Sequence, residues 1–170
     1  MNNLENKEIL SDEILSAIDK ILVHVPEIVF GGSVALSAVG LLNRKINDID
    51  LFVDKFGGVT RKLGELLTSI NADLGSDTVT DVNGAKVERL SFKIGNVKIC
   101  VFRVDKEVLQ YTTFEFARRK INIQNCNYAV AAKIAYSKKR DENNRPFNST
   151  TKHIEDVSHM FKILDNEFPF

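Results

Sequence analysis

At 170 residues the chain has the length of one domain, and 44% apolar with 27% charged residues is the balance of a globular protein rather than a disordered one. Lys plus Arg and Asp plus Glu both total 23, so attraction for phosphate or nucleic acid has to come from local patches and not from an overall field. Cys100 and Cys126 form no Cys-x-x-Cys pair and the three histidines offer no zinc spacing, which fits a reducing, cytoplasmic compartment.

In chain order, Met1–Leu10 carries Glu5, Lys7 and Glu8 with no apolar h-region, so no secretory signal is expected. Ser11 can cap a helix whose apolar residues Ile14, Leu15, Ile18, Ile21 and Leu22 recur at helical spacing, with Pro26 ending it. Glu27–Phe30 reads as a short strand, Gly31-Gly32 as a turn, and Ser33–Leu42 as a buried helix. The run Ile28–Leu42 is the longest nearly uncharged stretch, but its 15 residues and three glycines fall short of the ~20 apolar residues that span a bilayer. No membrane segment is expected.

A polar loop, Asn43–Asn47, leads into Asp48-Ile49-Asp50-Leu51-Phe52-Val53, where acidic and apolar residues alternate with period two, so both carboxylates face one side of a strand. Thr60 can cap a helix burying Leu63, Leu66, Leu67 and Ile70. Thr78–Val104 reads as a meander: a strand ending at Val82, an Asn83-Gly84 hairpin turn, Val87–Ile94, a Gly95-Asn96 turn, and Val97–Val104. The last third reads mainly as helix. Asn125 or Asn127 caps Tyr128–Lys138, Arg140–Asn148 is a loop containing Pro146, and Ser149 or Thr150 caps a final helix to about Leu164. No internal repeat or linker divides the chain, so one α/β (α+β) domain over 1–170 is predicted, with a sheet core over about 11–105 and a mainly helical part over about 106–170.

The chemistry starts at Gly31-Gly32-Ser33. A glycine pair between strand and helix lets backbone approach a ligand, and unpaired helical N–H groups suit phosphate oxygens, with the Ser33 hydroxyl as a further donor. Asp48 and Asp50 project side by side from their strand, and two carboxylates beside an apolar sheet are costly unless a cation or donors neutralise them. Mg²⁺, or Mn²⁺ in its place, answers that need, because it takes hard oxygens from one or two carboxylates plus substrate phosphates.

Phe30-Gly31-Gly32-Ser33 followed fifteen residues later by Asp48-Ile49-Asp50-Leu51 resembles the signature of the polymerase-beta-like nucleotidyltransferase superfamily. With Arg44 four residues before Asp48, the segment Gly31–Val53 is especially similar to the small bacterial branch of antibiotic and abortive-infection nucleotidyltransferases. Ala132-Lys133, and then Lys152-His153-Ile154-Glu155-Asp156 on the next helix, resemble the Lys and Lys-Asp-x-x-Asp-like helices that flank the nucleotide in that branch. The resemblance implies a nucleotidyltransferase fold with a mixed sheet flanked by helices, nucleotide-binding residues Gly31, Gly32, Ser33, Arg44 and Lys133, and Asp48 and Asp50 as catalytic metal ligands. It implies a Mg²⁺-bound nucleoside triphosphate as ligand and transfer of a nucleoside monophosphate to an acceptor hydroxyl, with pyrophosphate leaving.

One position departs from that pattern. Members of the superfamily normally carry a third carboxylate on a later strand, and Val97-Lys98-Ile99-Cys100-Val101-Phe102 puts Cys100 in its place. By resemblance the third acid binds the catalytic metal and draws the proton from the attacking hydroxyl. A thiol is soft, with an ordinary pKa near ~8.5, and matches Mg²⁺ poorly. With Gly95-Asn96 as a two-residue turn, Cys100 pairs opposite Ser91, and neither Glu88 nor Asp105 is well placed to substitute. The alternative to an enzyme is therefore a degenerate member that binds nucleotide, RNA or a protein partner in the manner of an antitoxin or inhibitor. Ala117–Arg140 holds seven Lys/Arg residues and no acid (Arg118, Arg119, Lys120, Lys133, Lys138, Lys139 and Arg140), a tract that could steer a triphosphate or an RNA backbone. A polymer or protein acceptor would dock across an open cleft or through an oligomer.

Overall fold

A computed structural model describes residues 10–80, 84–107, 109–140, 142–145 and 148–167. Helix α1 (Asp12–His24) begins where extended Ser11 accepts a hydrogen bond on its hydroxyl from the Ile14 N–H, with Asp12 and Glu13 favourably placed in the first turn. Its buried stripe is Ile14, Ala17, Ile18 and Ile21. Strand β1 (Val29–Phe30) is only two residues long, and after Gly31 the chain enters helix α2 (Gly32–Ala38).

Helix α2 is shorter than the Ser33–Leu42 read from the sequence. Gly40 takes φ +80, and the N–H groups of Gly40 and Leu41 turn back to the carbonyls of Ser37 and Leu36 at 3.1 and 2.8 Å. This is a Schellman closure, which only a residue tolerant of the left-handed region permits, so the helix stops while its apolar composition continues. Strand β2 covers Asp48–Val53 as expected. Helix α3 (Phe56–Ser69) starts earlier than predicted: its N-cap is Lys55, and Thr60 lies inside it, its hydroxyl donating to the Phe56 carbonyl at 2.5 Å. Phe56 packs against the core, and that contact draws the first turn into the helix ahead of the capping signal.

The described strands then continue as β3 (Gly75–Thr80), β4 (Lys86–Ile94), β5 (Val97–Arg103), β6 (Tyr111–Phe116) and β7 (Arg119–Gln124), followed by helices α4 (Cys126–Ser137) and α5 (Asn148–Glu167). The Gly95-Asn96 turn is present, joining Ile94 to its partner Val97 with Gly95 at φ +61. Val82 and Asn83 lie outside the described residues. Asn125 caps α4, accepting from the Asn127 N–H at 2.9 Å, while α5 already includes the positions 149 and 150 proposed as caps and runs past Leu164.

The expectation of a mainly helical part over about 106–170 needs correcting. Residues 111–124 form an antiparallel hairpin, Tyr111↔Gln124 to Phe116↔Arg119, which extends the sheet. Its turn places Ala117 at φ +50 and Arg118 at φ +65, a left-handed pair that Asn-Gly would normally supply. Without glycine, the turn left no trace in the sequence. Positions 146 and 147 of the predicted Arg140–Asn148 loop lie outside the described residues, and Asn148, read as its end, already opens α5.

Seven described strands form one mixed sheet in the order β3-β4-β5-β2-β1-β7-β6. β1 sits near its centre, antiparallel to β2 and parallel to β7, and β2 runs parallel to β5. Ile49, Leu51 and Val53 of β2 and Ile99 and Val101 of β5 enter a core shared with Ile14, Ile18 and Ile21 of α1 and Leu63 and Leu66 of α3. A smaller cluster, Leu36, Leu42, Ala129 and Met160, fastens α4 and α5 to α2. None of the described helices is long and apolar enough to cross a membrane.

Candidate functional site

The period of a strand sends Asp48, Asp50 and Phe52 to the face of β2 opposite the core. Along that face Asp48 is exposed and Asp50 half-buried, whereas Ile49, Leu51 and Val53 are buried. The parallel register with β5 sets Asp48 beside Lys98, Asp50 beside Cys100 and Phe52 beside Phe102, whose rings stack at 5.3 Å. Cys100 pairs in turn with Ser91 of β4. Glu88 lies on the other side of β4 and is ion-paired to Arg103 at 3.1 Å, so the acid of that strand does not face Asp50.

The glycine turn closes directly over this face. The Gly31 N–H donates to the Asp50 carbonyl at 2.9 Å. A Cβ on Gly31 would lie 2.1 Å from Phe52 Cε2 and 2.9 Å from Gln124 Oε1, and a Cβ on Gly32 would lie 2.3 Å from Asp50 Oδ2, with Gly32 already at φ +51. No side chain fits at either position. The pair of glycines is thus what lets the start of α2 touch the Asp50 carboxylate.

Burial strips Asp50 of hydration and raises its pKa; Lys133, Lys152 and Lys98 pull it down, and Asp48 adds to the rise. Among the described residues neither Asp48 nor Asp50 has a side-chain hydrogen bond or an ion pair. Burial likewise raises the Cys100 thiol, reinforced by Asp50 and Asp48 and opposed by Lys98 and Arg89, so it stays protonated at neutral pH. A protonated thiol is neither a hard-metal ligand nor a base.

A second group of charges stands behind the turn. Arg44 grips Asp156 with two bonds, Nε to Oδ1 at 2.6 Å and Nη2 to Oδ2 at 2.8 Å, and Nη2 also donates to Ser33 Oγ at 3.1 Å. Lys133 Nζ reaches Asp156 Oδ2 at 2.8 Å and His153 Nδ1 at 3.4 Å. Asp156 is only 2% exposed. Its burial would raise its pKa, yet the bonds from Arg44 and Lys133 prevail and hold it at about 2. Burial lowers Lys133 against the opposing pull of Asp156, and burial with the nearby Lys133 charge lowers His153 to about 4. His153 is consequently neutral at physiological pH and stacks on Tyr136 at 5.3 Å.

Gly31, Gly32, Asp48, Asp50 and Cys100 therefore meet at one place, and Ser33, Arg44 and Lys133 meet beside it around Asp156. In the sequence Asp156 and His153 stand only as members of a helix segment, because a buried acid facing two cations more than twenty residues away leaves no local pattern. The basic tract does not form one stripe. Arg119 is held by Asp19 at 2.5 and 2.8 Å, Lys133 by Asp156, and Arg118 stands at the β6–β7 turn, away from Lys138, Lys139 and Arg140 at the end of α4.

No protein-family model matches the chain, and no curated protein is similar to it in sequence. Solved structures do match. JHP933 from Helicobacter pylori superposes with a TM-score of 0.51 at 16% identity, over 99% of this chain and 70% of its own. An H. pylori protein provisionally assigned as a nucleotidyltransferase gives 0.51 at 16%, over 99% and 72%. MenT4, a nucleotidyltransferase toxin of Mycobacterium tuberculosis H37Rv, gives 0.44 at 16%, over 81% and 57%. The chain has a nucleotidyltransferase-like fold.

Two outcomes follow from the charge network. Asp156→Asn leaves Arg44 and Lys133 facing each other without their shared anion, and is expected to lower unfolding stability by about 3 kcal/mol in urea titrations; a loss below about 1 kcal/mol would mean that the network is effectively solvated. His153 resists protonation in the folded state, while its unfolded value is the ordinary 6.5. Below pH 6.5 the unfolded chain takes up the proton first, so stability falls as pH drops from 6.5 to about 4 and this contribution then levels off. His153→Gln should flatten that interval, and an NMR titration of His153 with a midpoint near 6.5 would contradict the assignment.

Proposed function

We propose that this chain binds a Mg²⁺-complexed nucleoside triphosphate where the Gly31-Gly32-Ser33 turn meets Asp48 and Asp50, and that Cys100 leaves it weak or inactive in nucleotidyl transfer. The observation that carries the reading is the bare contact between Gly32 and the Asp50 carboxylate, on a face where Asp48 stands two residues away and, among the described residues, no cation is ion-paired to either acid. Two like charges on one strand face, one of them desolvated, suit a hard divalent ion. Among the described residues no group of three or more His, Cys, Asp or Glu side chains could hold a metal, so the ligand set is the acid pair and the remaining oxygens would come from the triphosphate and water. When bound, Mg²⁺ supplies charge neutralisation for the polyphosphate.

The chain's own residues do the rest. Gly31 and Gly32 admit phosphate oxygens close to backbone N–H groups, and Ser33, whose oxygen already accepts from Arg44, keeps its hydroxyl hydrogen for a phosphate. Lys133 spends bonds on Asp156 and His153, and its field reaches Asp50, which favours a polyanion at that spot. Cys100 stands beside Asp50, where the third acid of an active transferase belongs, and its neutral thiol offers no acceptor for the proton of an attacking hydroxyl. A second reading, transfer of a nucleoside monophosphate to an RNA or protein hydroxyl, is favoured by the three lysines around Asp50, which would also stabilise departing pyrophosphate.

Equilibrium binding of each nucleoside triphosphate with Mg²⁺ or Mn²⁺ tests the first reading. Asp50→Asn is expected to weaken binding by about tenfold or more, in line with loss of a charged ligand worth at least ~1.4 kcal/mol; binding that ignores this change, or none in the parent protein, would remove the proposal. Incubation with labelled triphosphates, followed by a search for label on RNA or protein and for released pyrophosphate, decides between binding alone and transfer. Cys100→Asp should add a second Mn²⁺ by electron paramagnetic resonance counting, since it completes a cluster of three carboxylates across β2 and β5. Unchanged stoichiometry would show that position 100 does not correspond to the third acid.

A further inference from the structure

The face that carries Asp48, Asp50 and Cys100 continues across the sheet into a cavity that the nucleotide reading does not use. Lys98 lies beside Asp48 in register, and Lys93 of β4 lies directly opposite Lys98. Like charges directly opposite on a sheet face repel one another. Among the described residues neither lysine has a carboxylate within ion-pair distance, so the repulsion is offset only by the longer-range fields of Asp50 and Asp77 on Lys98. The two line a cavity of about 590 Å³ together with Ser91, Asn71 and Gly75, and Asp73 is the acid on its wall. Lys93 is two strands from Asp48, roughly 10 Å at ordinary strand spacing.

We propose that this cavity binds a phosphate ester belonging to the second molecule that meets the nucleotide at this site, held by Lys93 and Lys98 with Ser91 and Asn71 as neutral donors. The inference rests on the nucleotide reading for the identity of the neighbouring site, but not for its own chemistry. Two ammonium groups supply the two charges that a phosphate monoester carries, and they also suit successive phosphates of a nucleic-acid strand. Lys98 joins the two regions, because its field reaches both Asp50 and Asp77, on strands to either side of it. At Gly75, a Cβ would approach Ser91 Oγ to 3.2 Å, so the absent side chain leaves that hydroxyl open towards the cavity.

The test uses the whole chain in EDTA without nucleotide, which separates it from the triphosphate site. Anisotropy of a fluorescein-labelled ten-nucleotide single strand is measured against salt, and ribose 5-phosphate is titrated directly and as a competitor. Lys93→Gln should weaken whichever probe binds by several-fold and make the strand's log–log salt dependence shallower by about one, while Lys93→Arg keeps most of the affinity. Because Lys93→Gln removes a repulsion, its melting temperature stays the same or rises, so lost binding is not unfolding. Competition by ribose 5-phosphate marks a terminal ester as the ligand group; a strand that it does not displace marks the backbone. Failure of the parent protein to bind either probe, or parent-like binding by both Lys93→Gln and Lys93→Glu, overturns the proposal. Absent Mg²⁺-triphosphate binding with lysine-dependent ester binding intact would sink the nucleotide reading alone.

Discussion

One close approach governs the arrangement: the backbone of Gly31 and Gly32 lies against β2 at Asp50. The Gly31 N–H bond to the Asp50 carbonyl sets the register of the turn, and the missing Cβ at Gly32 lets a carboxylate occupy the volume a side chain would fill. A two-residue strand such as β1 can hold so central a place because it is bonded on both sides, to β2 and to β7. Its short length makes the turn follow immediately, so the start of α2 is brought over the acidic face and not past it. Packing on the other side keeps β2 in place, since slipping its register by one residue would exchange Ile49, Leu51 and Val53 for the two acids and Phe52.

The charges around that contact are arranged unequally. Asp156 is satisfied three times over by Arg44 and Lys133, and its pKa falls to about 2 despite burial. Asp50 has no such partners and its pKa rises for the same reason that Asp156's would have risen. A buried ion network contributes little net stability relative to apolar packing, so its presence is better explained by what it fixes than by what it adds. Here it fixes Ser33 to α4 and α5 through Arg44 and a single carboxylate, tying the glycine turn to elements about a hundred residues away.

Much of this was legible where the signal is local. The alternation Asp48-Ile49-Asp50-Leu51 identifies a strand with one acidic face, and Ser11, Gly95 and Asn125 mark a cap, a turn and a cap where the structure has them. What escaped depends on contacts distant in sequence or on backbone conformations that the residue types do not advertise. The β6–β7 hairpin turns through Ala117 and Arg118 at positive φ, and α2 ends at a Schellman closure within an apolar run. Thr60 carries a capping side chain but bonds back to Phe56 within the helix, as threonine does when packing extends a helix beyond its cap signal. The pairing of Arg44 with Asp156 spans 112 residues, beyond the reach of any periodicity.

Cys100 is where position and chemistry part. It pairs in register with Asp50 on the face that carries both acids, yet burial and those two acids keep the thiol protonated, so the side chain offers a cation nothing there. An aspartate in that place would bring a third like charge into a site where Asp50 already resists ionisation, and it would be tolerated only with a further cation bound. The cysteine relieves that repulsion. The acid pair and the glycine turn thus share one sheet face with a neutral thiol, and that thiol offers no proton acceptor beside Asp50.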